Sequence, residues 1–279
     1  MNLEVIEDPH NVEFDTVYAI GFAEDANVRH RPTMEDGHVI CKKFYENDMF
    51  LAVYDGHGGA GACQEVENLL HIALLEEMSK GTDHDIDQCF TNAYKNVDEE
   101  LNTMGFQYEG CTAVTVLLRN APSRFEAVVA NVGDSRCLIV TENNGFFSSQ
   151  LTVDHRPNKP KESARVKSEG GFVIFNRVNG ILAVSRALGD HGLKPPVSCL
   201  PDINHRFIIP NDIAMVLACD GLWDFVTNEA VETIVAECWT NGVNATECAQ
   251  KLVDTSLEND STDNISVMVV YMKEHPEKN

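Results

Sequence analysis

Acidic residues recur in this 279-residue chain where apolar runs stop. Phe50-Leu51-Ala52-Val53-Tyr54 leads into Asp55, Ala214-Met215-Val216-Leu217-Ala218-Cys219 leads into Asp220, and Asp263-Asn264 precedes the run Ile265 to Tyr271. A carboxylate at the end of a rigid strand is held accurately yet stays open to solvent and ligand. One Asp-Gly alone is more often a turn or cap residue; repetition of the pattern along one chain weakens that explanation. If these side chains converge, their like charges repel and raise one another's proton affinity, a cost that a divalent cation offsets. Every candidate ligand is an oxygen, with no clustered His or Cys, which favours magnesium or manganese over zinc or copper. The Asp-Gly pairs also supply turns without side-chain bulk, and Gly56 is the better candidate to offer a backbone carbonyl to an ion.

The elements that must position these groups read as a mixture of strands and helices. Short Val- and Ile-rich runs at Phe50 to Tyr54, Thr112 to Leu118, Ala127 to Val132, Arg136 to Val140, Ile213 to Cys219 and Ile265 to Tyr271 predict strands, several buried on both faces. Between residues 86 and 104, Ile86, Cys89, Phe90, Ala93, Tyr94, Val97, Leu101 and Met104 form one helical stripe. Similar spacing recurs around Val66 to Ala73, Val231 to Cys238 and Cys248 to Val253, where core packing is the natural role. Strands outnumber helices and follow one another through short turns, as at Asn131 to Arg136. An α+β class with antiparallel sheets and outer helices therefore fits better than regular βαβ alternation.

With 43% hydrophobic residues the chain can bury a large core. No internal repeat or low-complexity linker interrupts it, so a single domain spanning 1–279 is expected, with its core at about 14–272. The formal charge is −23, from 21 Lys plus Arg against 44 Asp plus Glu, which repels nucleic-acid backbones and argues against DNA or RNA as a partner. The nine cysteines lack a Cys-x-x-Cys pair, so neither a disulfide framework nor a zinc site is expected. Met1-Asn2-Leu3-Glu4 carries no basic start, apolar stretch or myristoylation glycine, and no segment approaches a membrane span. A cytoplasmic protein with no membrane partner is expected, with access to the nucleus left open.

Seven motifs then carry a resemblance. Arg31-Pro32-Thr33-Met34-Glu35-Asp36-Gly37-His38, Tyr54-Asp55-Gly56-His57-Gly58-Gly59, Gly110-Cys111-Thr112-Ala113 and Asn131-Val132-Gly133-Asp134-Ser135-Arg136 come first. Leu182 to Asp190, Ala218 to Asp224 and Thr262 to Val267 complete the series. In order and spacing, over roughly residues 20 to 271, the set resembles that of the type 2C metal-dependent protein serine/threonine phosphatases. The resemblance implies a four-layer α-β-β-α sandwich of two mainly antiparallel sheets, with a centre of two magnesium or manganese ions at one end. It implies that Asp55 bridges both ions, that Gly56 offers its carbonyl, and that Asp220 and Asp263 complete the direct ligands. Glu35 and Asp36 would act through metal-bound waters, and Asp134, with Asp220, would hold a weaker third ion. Arg31 would grip the substrate phosphoryl group, a task suited to a planar, permanently charged fork.

The reaction so implied is hydrolysis of phosphoserine and phosphothreonine in phosphoprotein partners by a water bound to both ions, with no phosphoenzyme. His57 is the candidate general acid for the leaving oxygen. Thr112, Ser185 and Arg186 match recurring motif positions but read as structural, and residues of about 155–201, rich in Pro and Gly, read as a flap subdomain. A monomer is expected. No Cys is followed six residues later by Arg and no Gly-Asn-His-Glu occurs, which excludes the motifs of two other phosphatase classes. The rival of a different kind is a pseudophosphatase that keeps the fold as a binding or scaffold module.

Overall fold

The computed structural model describes residues 17, 19–80, 85–121 and 124–276. The expected domain start near residue 14 and the Met1 to Glu4 segment lie outside the described residues. In chain order the strands are β1 (Ala19–Asp25), β2 (Asp36–Cys41), β3 (Met49–His57), β4 (Gly110–Ala121), β5 (Arg124–Val132), β6 (Arg136–Glu142) and β7 (Phe146–Gln150). They continue with β8 (Val173–Ile174), β9 (Arg177–Val178), β10 (Leu188–Gly189), β11 (Asp202–Phe207), β12 (Asp212–Ala218) and β13 (Ile265–Tyr271). The helices are α1 (Gly61–Ser79), α2 (Ile86–Met104), α3 (Pro160–Ser168), α4 (Asp220–Trp223), α5 (Asn228–Thr240) and α6 (Ala245–Glu258).

Two antiparallel sheets stack face to face. One runs β1-β13-β12-β6-β7 and the other β11-β5-β4-β3-β2, with β10 joined to β4. Alternation along β3 explains why its sequence reads as one unbroken apolar run. Met49, Leu51 and Val53 point into the layer between the sheets, against Met215, Leu217 and Met268, while Phe50, Ala52 and Tyr54 point outward onto α1 and α2. On the far side α5 and α6 cover the other sheet through Val231, Val235, Leu252 and Val253. The α+β sandwich expected from the sequence is therefore present, and burial of each such side chain contributes about 1.5–3 kcal/mol. No helix among the described residues is long and apolar enough to cross a membrane.

Helix ends follow local chemistry. Asp85, Thr227 and Asn244 each accept a hydrogen bond from a first-turn amide of α2, α5 and α6, and Gly105 closes α2 in the left-handed conformation. Two sequence expectations need correction. The strand read as ending at Tyr54 continues to His57, because Asp55, Gly56 and His57 pair with Thr112, Cys111 and Gly110. The short turn after Asn131 does not close a hairpin within one sheet; it carries the chain from β5 in one sheet to β6 in the other.

Residues 155–201 contain α3, the β8–β9 hairpin and β10, with an apolar cluster formed by Val166, Val178, Val184, Ala187, Leu193 and Val197. Ser185 and Arg186 are not in a named strand. They join a buried polar knot on Glu162, which accepts from Ser185 Oγ at 2.8 Å, Arg186 Nη2 at 2.7 Å and Arg165 Nη2 at 2.9 Å. Arg186 also donates to Asp202 at 2.8 Å and to the Leu200 carbonyl at 2.9 Å. Burial alone would raise the Glu162 pKa, but the hydrogen bonds and charges of Arg186, Ser185 and Arg165 outweigh it and hold the group at about 2.

Removing one partner of such a buried pair strands the other, so Arg186→Ala should cost about 3–5 kcal/mol in denaturant unfolding. The depressed Glu162 stabilises the fold fully above the ordinary carboxylate pKa of 4.5, and this contribution is lost as pH falls toward about 2. Unfolding curves measured between pH 6 and pH 2 should lose part of that dependence in Glu162→Gln. An unaltered profile would contradict the assignment.

Candidate metal centre

The carboxylates meet at one end of the sandwich, each delivered by a different element. Asp55 lies in β3, flanked across the sheet by Asp36 of β2 and Thr112 of β4. Asp134 sits in the turn between β5 and β6, and Asp220 opens α4 directly after β12 and Cys219. Oxygens of Asp55, Asp134 and Asp220 lie within 4.8 Å of one another. Asp263 stands two residues before β13 and turns toward Arg31, whose Nη2 is 2.5 Å from Asp263 Oδ2. Arg31 Nε also donates to the Thr262 carbonyl at 3.4 Å.

Gly56 is required by close approach. A Cβ there would lie 2.3 Å from the Glu35 carbonyl oxygen and 2.8 Å from Cys63 Cβ. The Gly56 amide donates to that carbonyl at 3.1 Å, and the Glu35 carboxylate accepts from Thr33 Oγ1 at 3.2 Å. His57 ends β3 opposite Gly110, with its Nε2 2.6 Å from Asp190 Oδ2.

The electrostatics of the cluster follow from crowding. Burial, then the charges of Asp220, Asp36, Asp134 and Asp263, push the Asp55 pKa well up. Asp134 is raised by burial and by Asp220, against the lowering influence of Arg156. Burial and Asp263 likewise raise Asp220, and Asp36 is raised by burial and by Asp263 and Asp220, against a lowering influence of the neighbouring Ser266 and Cys219 side chains. One buried oxygen of each of two carboxylates, Asp36 Oδ2 and Asp134 Oδ1, has no hydrogen-bond partner. An all-oxygen cluster with orphaned, mutually repelling acceptors fits hard divalent cations.

Several residues that hold the site carried no role in the sequence reading. Asn264 clamps the Arg31–Glu35 loop: its Oδ1 accepts from the Glu35 amide at 2.9 Å, and its Nδ2 donates to the carbonyls of Ala26 and Thr33 at 2.7 and 3.1 Å. His155 Nδ1 accepts from the Gly133 amide at 3.2 Å, while Nε2 faces Asp202, which pins the turn bearing Asp134. Thr112 Oγ1 meets Ser135 Oγ at 2.7 Å beneath that turn, in keeping with its structural reading. Arg156 places Nε 3.2 Å from Asp134 Oδ2 and pairs with Asp224 through Nη2. The position that the resemblance gives to a third ion is therefore bordered by a guanidinium. Asn264 stands within a quoted motif and Asp224 ends another, so a signal existed for both; Arg156 and His155 became visible only through the fold.

Comparison with known proteins gives the family. The family model described as protein phosphatase 2C matches residues 20–265. Protein phosphatase 2C homolog 1 of Saccharomyces cerevisiae is 34% identical, over 96% of this chain and 98% of that protein. The Schizosaccharomyces pombe protein of the same name is 36% identical, over 92% of this chain and 74% of its own length. Among solved structures, a serine-threonine phosphatase 2C from Toxoplasma gondii superposes with a TM-score of 0.81 at 26% identity, covering 95% of this chain and 97% of its own. With a family match over most of its length and relatives aligned nearly end to end, this chain belongs to the protein phosphatase 2C family.

Proposed function

We propose that this chain is a metal-dependent protein serine/threonine phosphatase that hydrolyses phosphoserine and phosphothreonine esters. The observation that carries the reading is the convergence of Asp55, Asp134 and Asp220 from three separate elements onto one point. Asp55, Gly56, Asp220 and Asp263 would hold two magnesium or manganese ions, with Glu35 and Asp36 reaching them through water. When bound, such ions neutralise the carboxylates, polarise the phosphoryl group and activate water near neutral pH.

The chain's own residues do the rest. Arg31 would bind two phosphoryl oxygens after exchanging its present partner Asp263, which would then become available as a ligand. His57 donates a proton to the seryl or threonyl oxygen as the ester bond breaks. A third cation at Asp134 and Asp220 would have to compete with Arg156 for Asp134. The segment 155–201 would act as the flap against which the phosphopeptide lies. The scaffold reading gains no support, since every expected carboxylate is present.

Hydrolysis of a chromogenic phosphate ester and of phosphopeptides should require manganese or magnesium and vanish with chelator. Asp55→Asn and Asp220→Asn should each lower kcat by about 100-fold or more, since each removes a ligand for the catalytic ions. A folded, metal-replete protein without turnover would refute the enzyme. His57→Ala should lower kcat for phosphopeptide about 100-fold or more, the usual reach of general acid catalysis. Nitrophenyl phosphate, whose leaving group needs no proton, should be affected far less, with metal affinity unchanged. Equal losses on both substrates would remove His57 from the acid role.

A further inference from the structure

The His57 imidazole meets a buried carboxylate to which no metal is assigned. Asp190 is 1% exposed, and its Oδ2 lies 2.6 Å from His57 Nε2 across a separation of 133 residues. Two backbone segments create the encounter. Strand β3 places His57 opposite Gly110 of β4, and β10 pairs Leu188 and Gly189 with Cys111 and Gly110 of that same strand. The next residue after β10 is Asp190. The approach depends on glycine at 110, where a Cβ would lie 2.1 Å from Asp190 Oδ2 and 2.6 Å from His57 Nε2.

The backbone that carries this carboxylate is held independently of the histidine. The Asp190 amide donates to the Glu109 carbonyl at 3.0 Å, and its own carbonyl accepts from the Leu193 amide at 2.8 Å. Just before it, the Gly189 amide donates to Asp98 Oδ1 at 2.9 Å, and Lys194 Nζ meets the same oxygen at 2.6 Å. Asp190 itself adopts φ 51° and ψ 37°, a left-handed conformation that Asp tolerates better than most residues and that the surrounding bonds enforce.

We infer that Asp190 is a positioning residue: it accepts a hydrogen bond from His57 Nε2–H, which fixes the ring and turns Nδ1 toward the leaving oxygen. The inference rests on His57 being the general acid. In the step so assigned, water adds to phosphorus and gives up a proton to solvent as the ester P–O bond breaks, and the electron pair of that bond stays on the seryl or threonyl oxygen. That oxygen takes the Nδ1 proton. Imidazolium becomes neutral imidazole with Nε2 still protonated, Asp190 remains ionised, and Nδ1 recovers its proton from solvent. A carboxylate behind a histidine selects the tautomer and orientation in this way in other catalytic and metal sites. The arrangement also links the acid to the 155–201 segment, because Asp190 belongs to that segment at the point where β10 joins it to β4.

The competing explanation is that Asp190 only pins that segment to the sheet, and the two differ in what the substrates report. Asp190→Ala should lower kcat for a phosphoserine peptide about 10- to 100-fold while nitrophenyl phosphate stays within about threefold, with KM and manganese affinity unchanged. Placed in a His57→Ala background, it should add no further loss. Equal losses on both substrates, or full additivity in the double variant, would overturn the positioning role. If His57→Ala distinguishes the substrates and Asp190→Ala does not, the positioning role alone fails; if His57→Ala does not distinguish them, both readings fail. Independently of any variant, nitrogen NMR of the magnesium-loaded wild-type protein should show neutral His57 protonated at Nε2. Protonation at Nδ1 would overturn the inference.

Discussion

Mutual repulsion among Asp55, Asp134 and Asp220 is the constraint on which the rest of this structure depends. Their oxygens approach within 4.8 Å in a setting where burial already disfavours charge. Left to local preferences, three such groups would separate. They stay together because each is anchored to a different element of a tightly filled sandwich, with Leu51, Val53, Cys137, Met215, Leu217 and Met268 fully buried or nearly so between the sheets. Cations at the periphery relieve part of the repulsion: Arg156 faces Asp134 and Asp224, and Arg31 faces Asp263. Among the described residues no salt bridge reaches Asp55 or Asp220 at the centre of the cluster, and divalent metal is the chemistry that suits it.

How much of this could be read from the sequence depended on where each element lies. The strands that were legible are interior ones, such as β3, β4, β12 and β13, whose two buried faces leave continuous Val, Ile and Leu runs. The unrecognised β1, β2, β7 and β11 are the four edges of the two sheets. Edge strands bury less, and Phe146-Phe147-Ser148-Ser149-Gln150 of β7 or Asp202-Ile203-Asn204-His205-Arg206-Phe207 of β11 carry polar residues that hide the period. The jump between sheets at residues 133–135 was equally hidden, because a tight turn looks the same whether it closes a hairpin or crosses a sandwich.

The site divides along a similar line. Asp55, Asp220 and Asp263 announced themselves as carboxylates at the boundaries of apolar runs, and the ordered motifs supplied Glu35, Asp36, Asp134, Arg31 and His57. Roles that exist only through distant pairing left no local trace. Arg156 reads as one cation among 21 until the fold sets it beside Asp134, and Asp190 closes a quoted motif that gives no sign of its contact with His57. The 155–201 segment shows the same dependence, since the Glu162, Arg165, Ser185 and Arg186 knot gathers residues from a helix and a loop that share no sequence period. Through Asp190 at one end and His155 at the other, that segment touches both the proposed acid and the turn bearing Asp134.

The central claim is that the folded chain holds three repelling carboxylates together for the sake of bound cations. Thermal unfolding of wild type and Asp55→Asn, with chelator and with excess manganese, tests it most directly. Without cation the asparagine relieves repulsion, so its Tm should exceed that of wild type by a few degrees, as expected for about 1 kcal/mol in a domain of this size. With manganese, wild type should rise markedly and the variant little. A variant that is less stable than wild type in chelator, or that gains as much from manganese, would contradict the account.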